Sequence, residues 1–214
     1  QKVSLYCYSG SGGGKKQTGS LLQLGYYIEF GLKNTKGKNT LTSSEWRVKW
    51  YYKVPNLRYD VFNELCSYLQ AMDVLLIEEH DLGEGQQGLF SLLSNILYSI
   101  ETSPIADYKR VGLYLVKFIY YQGLEINTHH CAQTHQPLKA CYTYFSPVHG
   151  GFISQEVSYQ DDSELLLFIQ KAYETFVKDF LSLPPLSQMQ LRKLIDYLSY
   201  HSEKDLKKTL MYLL

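Results

Sequence analysis

Between Glu45 and Lys53 the chain alternates strictly. Trp46, Val48, Trp50 and Tyr52 fall on one side, Glu45, Arg47, Lys49, Tyr51 and Lys53 on the other. A period of two predicts a half-buried strand. Leu22, Leu24, Tyr26, Ile28, Phe30 and Leu32 repeat it against Gln23, Gly25, Tyr27, Glu29, Gly31 and Lys33, and Lys2 to Ser9 reads as a further strand. Asn34 to Asn39, with Lys36-Gly37-Lys38 at its centre, predicts a hairpin loop with a basic tip. After Pro55 the period becomes helical. Leu57, Val61, Leu65, Leu69, Met72 and Leu76 recur at three or four residues, with Asn56 as N-cap and an end near Glu79. Asp81 to Gly85 is a loop. Leu89, Phe90, Leu93, Ile96, Leu97 and Ile100 mark a second helix, and a third starts at Ser103-Pro104 and stops before Gly123. Thr128 to Gln160, rich in His, Gly and Pro, is an irregular excursion with short strands at Tyr142 to Phe145 and Gly151 to Ser154. Asp162 to Leu181, Ser187 to His201 and Asp205 to Leu213 return to helix. The fold class is therefore α+β in two domains: a small β domain over 1–54 and an all-α domain over 55–214, the latter carrying the excursion 128–160.

Charge changes where the period does. Residues 1–58 carry ten Lys/Arg against Glu29 and Glu45, a net +8, and the remainder is −8, so the chain as a whole is neutral. A basic segment that short attracts polyanions, nucleic acid first among them, although lysine clusters also serve solubility alone. The longest apolar stretch, Leu113 to Tyr121, is interrupted by Lys117 and too short to span a membrane, so no membrane partner is expected. Cys7, Cys66, Cys131 and Cys141 lack the density of a disulfide scaffold, and nothing resembles a secretory leader, which together predict a cytoplasmic protein. The chain starts on Gln1 rather than Met, already close to a strand, so its natural start is expected to lie upstream.

Ser9-Gly-Ser-Gly-Gly-Gly-Lys15-Lys16 has the composition of a phosphate loop but not its spacing. Gly would be needed at Ser9 and Ser/Thr at Lys16, and strand rather than helix follows. It reads as a flexible basic loop. His129-His130-Cys131, His135, Cys141 and His149 are the densest group of potential metal ligands, of which Cys131, His135 and Cys141 are the candidates for structural zinc. Their spacing is also that of solvated loop histidines beside packing cysteines. No HExxH motif and no Ser/His/Asp or Cys/His set is evident, so neither catalytic residues nor a cofactor are expected.

From Arg110 to Ser154 the chain resembles a known family. The helix ending Leu115-Val-Lys-Phe-Ile-Tyr-Tyr-Gln-Gly123, then Cys131, then Tyr144-Phe-Ser-Pro-Val-His-Gly-Gly151, is similar to the second half of the bacterial recombination mediator RecO. Gly19-Ser-Leu-Leu-Gln23 and Asn39 to Glu45 resemble its earlier turn and connecting strand. The resemblance implies an OB-fold barrel followed by a helical domain without an active site, with the first barrel strands lying outside this chain. It further implies binding of single- and double-stranded DNA, strand annealing, and recombinase loading together with RecR and the C-terminal tail of single-strand binding protein. Where zinc-binding members carry two Cys-x-x-Cys pairs, this chain has Cys131, Thr134, Ser154 and Val157, which disfavours zinc. The loop that carries arginines in members is Gly12 to Gly14 followed by Lys15-Lys16.

The DNA contacts expected are Lys15, Lys16, Lys33, Lys36, Lys38, Arg47, Lys49 and Lys53. By resemblance Arg110, read as a surface cation beside an apolar groove, is the partner-binding residue. The alternative is a protein-interaction adaptor whose helical domain docks partners while the basic front only maintains solubility. A metal-dependent hydrolase built on His129, His130 and His135 is a third, weaker reading.

Overall fold

The computed structural model describes residues 5–7, 26–34, 41–51, 58–75, 84–138, 143–154 and 161–210. The glycine-rich loop, the tip of the first hairpin, the N-cap at Asn56, the loop 81–83 and the chain end beyond Leu210 lie outside them.

In the β part, β2 (Tyr26–Asn34) and β3 (Leu41–Tyr51) form an antiparallel ribbon running from Tyr26↔Tyr51 to Asn34↔Leu41. The short β1 (Leu5–Cys7) pairs parallel with β3, Leu5 opposite Leu41, so β3 is the central strand. The alternation holds where side chains are described: Ile28 and Val48 are half-buried, whereas Glu29, Arg47 and Lys49 are exposed. The ladder shifts register between Tyr27 and Ile28 and again between Gly31 and Leu32. Such irregularities add local twist and bend a ribbon. Barrel closure is not seen among the described residues.

The helical part is built around α3 (Tyr108–Tyr121), which is apolar nearly all round, as a helix surrounded by others must be. It packs against α2 (Glu84–Thr102), α4 (Ser163–Glu174), α5 (Gln188–Ser202) and the 3₁₀ turn Val177–Ser182. α1 (Tyr59–Leu75) and the short α6 (Leu206–Thr209) complete the bundle. Gly112 permits the closest approach: a Cβ there would overlap Leu186 Cδ2 and lie 2.9 Å from Phe168 Cζ. Gly112→Ala is expected to cost about 1–3 kcal/mol by overpacking, measurable as a lower urea midpoint at unchanged slope. Between α3 and α4, β4 (Thr143–Ser146) and β5 (Gly151–Ser154) form a hairpin whose buried rings Phe145 and Phe152 lie 5.0 Å apart. Among the described residues no helix is long and apolar enough to cross a membrane.

Three helix boundaries differ from expectation. The expected loop Asp81 to Gly85 gives way to helix at Glu84, where α2 begins. The third helix starts at Tyr108, not at Ser103-Pro104. Asp107 caps it, its carboxylate accepting from Lys109 N at 2.8 Å, while α2 extends to Thr102. Residues 103–106 form a connector whose carbonyls at Ser103 and Ile105 are satisfied by a side chain, described below, instead of by helical amides. The run Asp162 to Leu181 is broken where Thr175 and Phe176 take extended backbone, because Val177 and Phe180 must turn inward while Phe176 points to solvent. At α5 expectation and structure agree. Ser187 and Gln190 form a reciprocal capping box, with bonds of 3.2 and 2.8 Å.

Candidate nucleic-acid and partner interfaces

The sheet brings two of the eight expected DNA-contact cations together with described side chains. Arg47 and Lys49 lie two residues apart on β3 and are exposed. Lys33 is placed on β2, opposite Thr42. Lys15, Lys16, Lys36, Lys38 and Lys53 lie outside the described residues. The register also introduces a residue that periodicity alone did not single out. Glu29 is the cross-strand partner of Arg47 and forms an ion pair with Lys49 at 2.7 Å. The Lys49 hydrogen bond and charge, with a smaller contribution from Arg47, hold the Glu29 carboxyl below its ordinary range. Only a known register reveals this. On an exposed pair the attraction is weak, so Lys49 remains available to a phosphate that competes for it.

Arg110 requires a correction. It does not sit at the surface beside a groove; its side chain is 0% exposed. Nε and Nη2 bind Glu64 Oε1 and Oε2 at 2.7 and 2.8 Å, Nη1 donates to Ser103 O at 2.8 Å, Nη2 to Ile105 O at 2.7 Å, and the guanidinium lies 5.1 Å from the centre of the Phe180 ring. Tyr68 Oη donates to the same Glu64 carboxylate. Burial disfavours the guanidinium charge, but Glu64 outweighs it and raises the pKa of Arg110 further. The fork is used to join α1, α3 and the 103–106 connector.

The excursion is organised around Cys131, buried and in the reduced state. The loop folds back so that Cys131 N donates to Gln136 O, His135 N to Cys131 O, and Ala132 N to Phe152 O. His135 takes the left-handed conformation, with φ 58°, and its side chain is exposed. Burial pushes the Cys131 thiol up, yet donors aimed at the sulfur prevail and bring it down to about 7: the Thr134 hydroxyl and the amides of Ser154, Thr134 and Gln133. Thr134 and Ser154, standing where family zinc ligands would be, thus serve the sulfur as donors. Among the described residues no group of three or more His, Cys, Asp or Glu is placed to hold a metal, and Cys141 lies outside them. The donors described around Cys131 stabilise its sulfur as a thiolate.

Beside this loop an open groove of about 1030 Å³ runs between the C-terminal half of α3, residues 125–130 and α4. Lys117, Tyr120, Lys171, His129 and His130 line it together with Glu125 and Glu174. Lys117 Nζ donates to Tyr173 O at 2.7 Å, and burial lowers its pKa. The Tyr173 hydroxyl accepts from Ile126 N at 2.9 Å and thereby fixes the loop to α4.

These features define a class: an α+β protein with a C-terminal helical domain whose conspicuous surfaces are suited to binding. The family model of the recombination protein O C-terminal domain matches residues 63–210. The chain therefore belongs to the recombination protein O family, whose members are non-catalytic DNA-binding mediators of recombination. A search of curated proteins finds no match.

Proposed function

We propose that this chain binds single- and double-stranded DNA through a β domain over 1–54 of OB-fold type. It anneals complementary strands and, with RecR and single-strand binding protein, helps to load the recombinase in the bacterial cytoplasm. The helical domain over 55–214 docks the tail of single-strand binding protein through groups other than the enclosed Arg110. The observation that carries this reading is the family match over most of the chain. The exposed Arg47 and Lys49 on the central strand support it from the other side. Annealing needs no covalent chemistry: two phosphate backbones repel, and a basic face that holds both lowers the encounter barrier.

Single strands lose affinity with salt at a log–log slope of about −0.7 per neutralised phosphate. Replacing Arg47 and Lys49 together by Glu is expected to make the slope shallower by about 1.4 and to weaken binding at low salt. Anisotropy of a labelled single strand titrated at several salt concentrations measures both quantities. An unchanged affinity and slope would remove this face from the DNA contact. The adaptor reading would gain only if the Glu29 pair kept Lys49 from phosphate, which an exposed pair does weakly. If the unaltered chain bound no strand at low salt, that reading would replace the first.

A further inference from the structure

Resting on the reading that this protein holds single-stranded DNA, we infer that the groove between α3, residues 125–130 and α4 is a second contact for the same strand. One base stacks on Tyr120, and the adjacent phosphate meets Lys171 and the His129-His130 turn. Tyr120 is 49% exposed although it lies at the centre of an aromatic cluster, 5.6 Å from the Tyr121 ring and 6.1 Å from Tyr173. Those neighbours hold the ring in place without covering it, which is what a stacking platform requires. Lys171 is 57% exposed and only loosely paired, 3.9 Å from Glu174. The histidines are presented by a built turn, because Asn127 Oδ1 accepts from both His129 N and His130 N, at 2.9 and 3.0 Å. Gln170 Nε2 donates to Thr128 O at 3.2 Å and ties that turn to α4.

The mixed charge decides between occupants. Glu125 and Glu174 line the same groove. An acidic peptide would meet them as like charges, and so would the phosphates of a strand, so the base edges must supply their partners. A splayed nucleotide uses them, since carboxylates accept from the exocyclic amines of cytosine, adenine and guanine while cations take the phosphate. The groove therefore has the three components of a single-strand site: ring, cation and base-edge acceptor.

The test uses the whole chain and a fluorescent oligodeoxycytidylate. Tyr120→Ala is expected to weaken binding about 5- to 150-fold, the loss of one stacked base, whereas Tyr120→Phe stays near wild type. Lys171→Glu, a surface change that avoids any effect of ring removal on folding, is expected to weaken binding and to make the salt slope shallower. If Tyr120→Ala and Lys171→Glu bind as wild type while the double substitution at Arg47 and Lys49 loses affinity, the groove is not a strand site and the proposed function stands. Failure of the unaltered chain to bind the strand overturns both. Loss of affinity by Tyr120→Ala for an acidic peptide but not for the strand overturns the inference in favour of a protein partner.

Discussion

Replacing Arg110 by Ala is expected to remove about 3–5 kcal/mol of folding stability, the range for breaking a buried ion pair by deleting one partner. Arg110 and Glu64 are 0% and 1% exposed. With the guanidinium gone, the Glu64 carboxylate keeps Tyr68 as a donor but has no cation, and the carbonyls of Ser103 and Ile105 lose theirs. Urea unfolding followed by circular dichroism measures the loss. A loss below about 1 kcal/mol, a typical surface-pair value, would show that the enclosure described here is wrong. Exchanging both partners for apolar residues, Arg110→Met with Glu64→Leu, is expected to recover only part of the stability: the unpaired buried charge is gone, but the buried Tyr68 hydroxyl and the Ser103 and Ile105 carbonyls still lack the partners they had. A loss of partner binding in Arg110→Ala would therefore report unfolding before it reported a missing contact.

The second large effect is at Asp162, 3% exposed at the entrance to α4. Lys193 Nζ lies 2.6 Å from both carboxylate oxygens, and Phe145 N donates to Oδ2 at 2.8 Å. One carboxylate thus joins α5 to the β4–β5 hairpin, while the Lys193 ammonium also lies 5.5 Å from the centre of the Tyr144 ring. Asp162→Ala strands a largely buried ammonium and a buried amide, and is expected to cost about 2–4 kcal/mol. Asp162→Asn, which retains an acceptor for Phe145, is expected to cost less. Hydrogen exchange separates a local effect from a global one: the Phe145 amide should lose protection in Asp162→Ala beyond what the fall in global stability explains. Unchanged protection there would contradict the role assigned to Asp162.

Local periodicity carried the elements well. The helical period after Pro55, the helix from Ser187, the stop at Gly123 and the strand Gly151–Ser154 all follow from neighbours in sequence. Partners distant in sequence were not legible in the same way. Arg110, one of three cations on its helix, looked like a surface cation because Glu64, its reason for being inside, is 46 residues away. Pro104 looked like a helix start because the group that satisfies the connector carbonyls is a side chain of the next helix. Glu29 on the basic face became visible only through a register that two irregularities shift. The groove combines α3, α4 and a loop, which no sequence period brings together. The resemblance that pointed to the family rested on the Phe-Ser-Pro-x-x-Gly-Gly run, whose hairpin positions Phe145 and Phe152 in the core.

The donors around Cys131 make the folded excursion a proton-releasing structure. Its thiol is lowered to about 7 in the folded loop from the ordinary value of about 9 that the unfolded chain has. Between those values closing the loop expels a proton, so its contribution to stability is fully present above about pH 9 and is lost as pH falls through about 7. At neutral pH the closed excursion is thus poised at the acid edge of its own reinforcement, held by a charge that the unfolded chain does not carry.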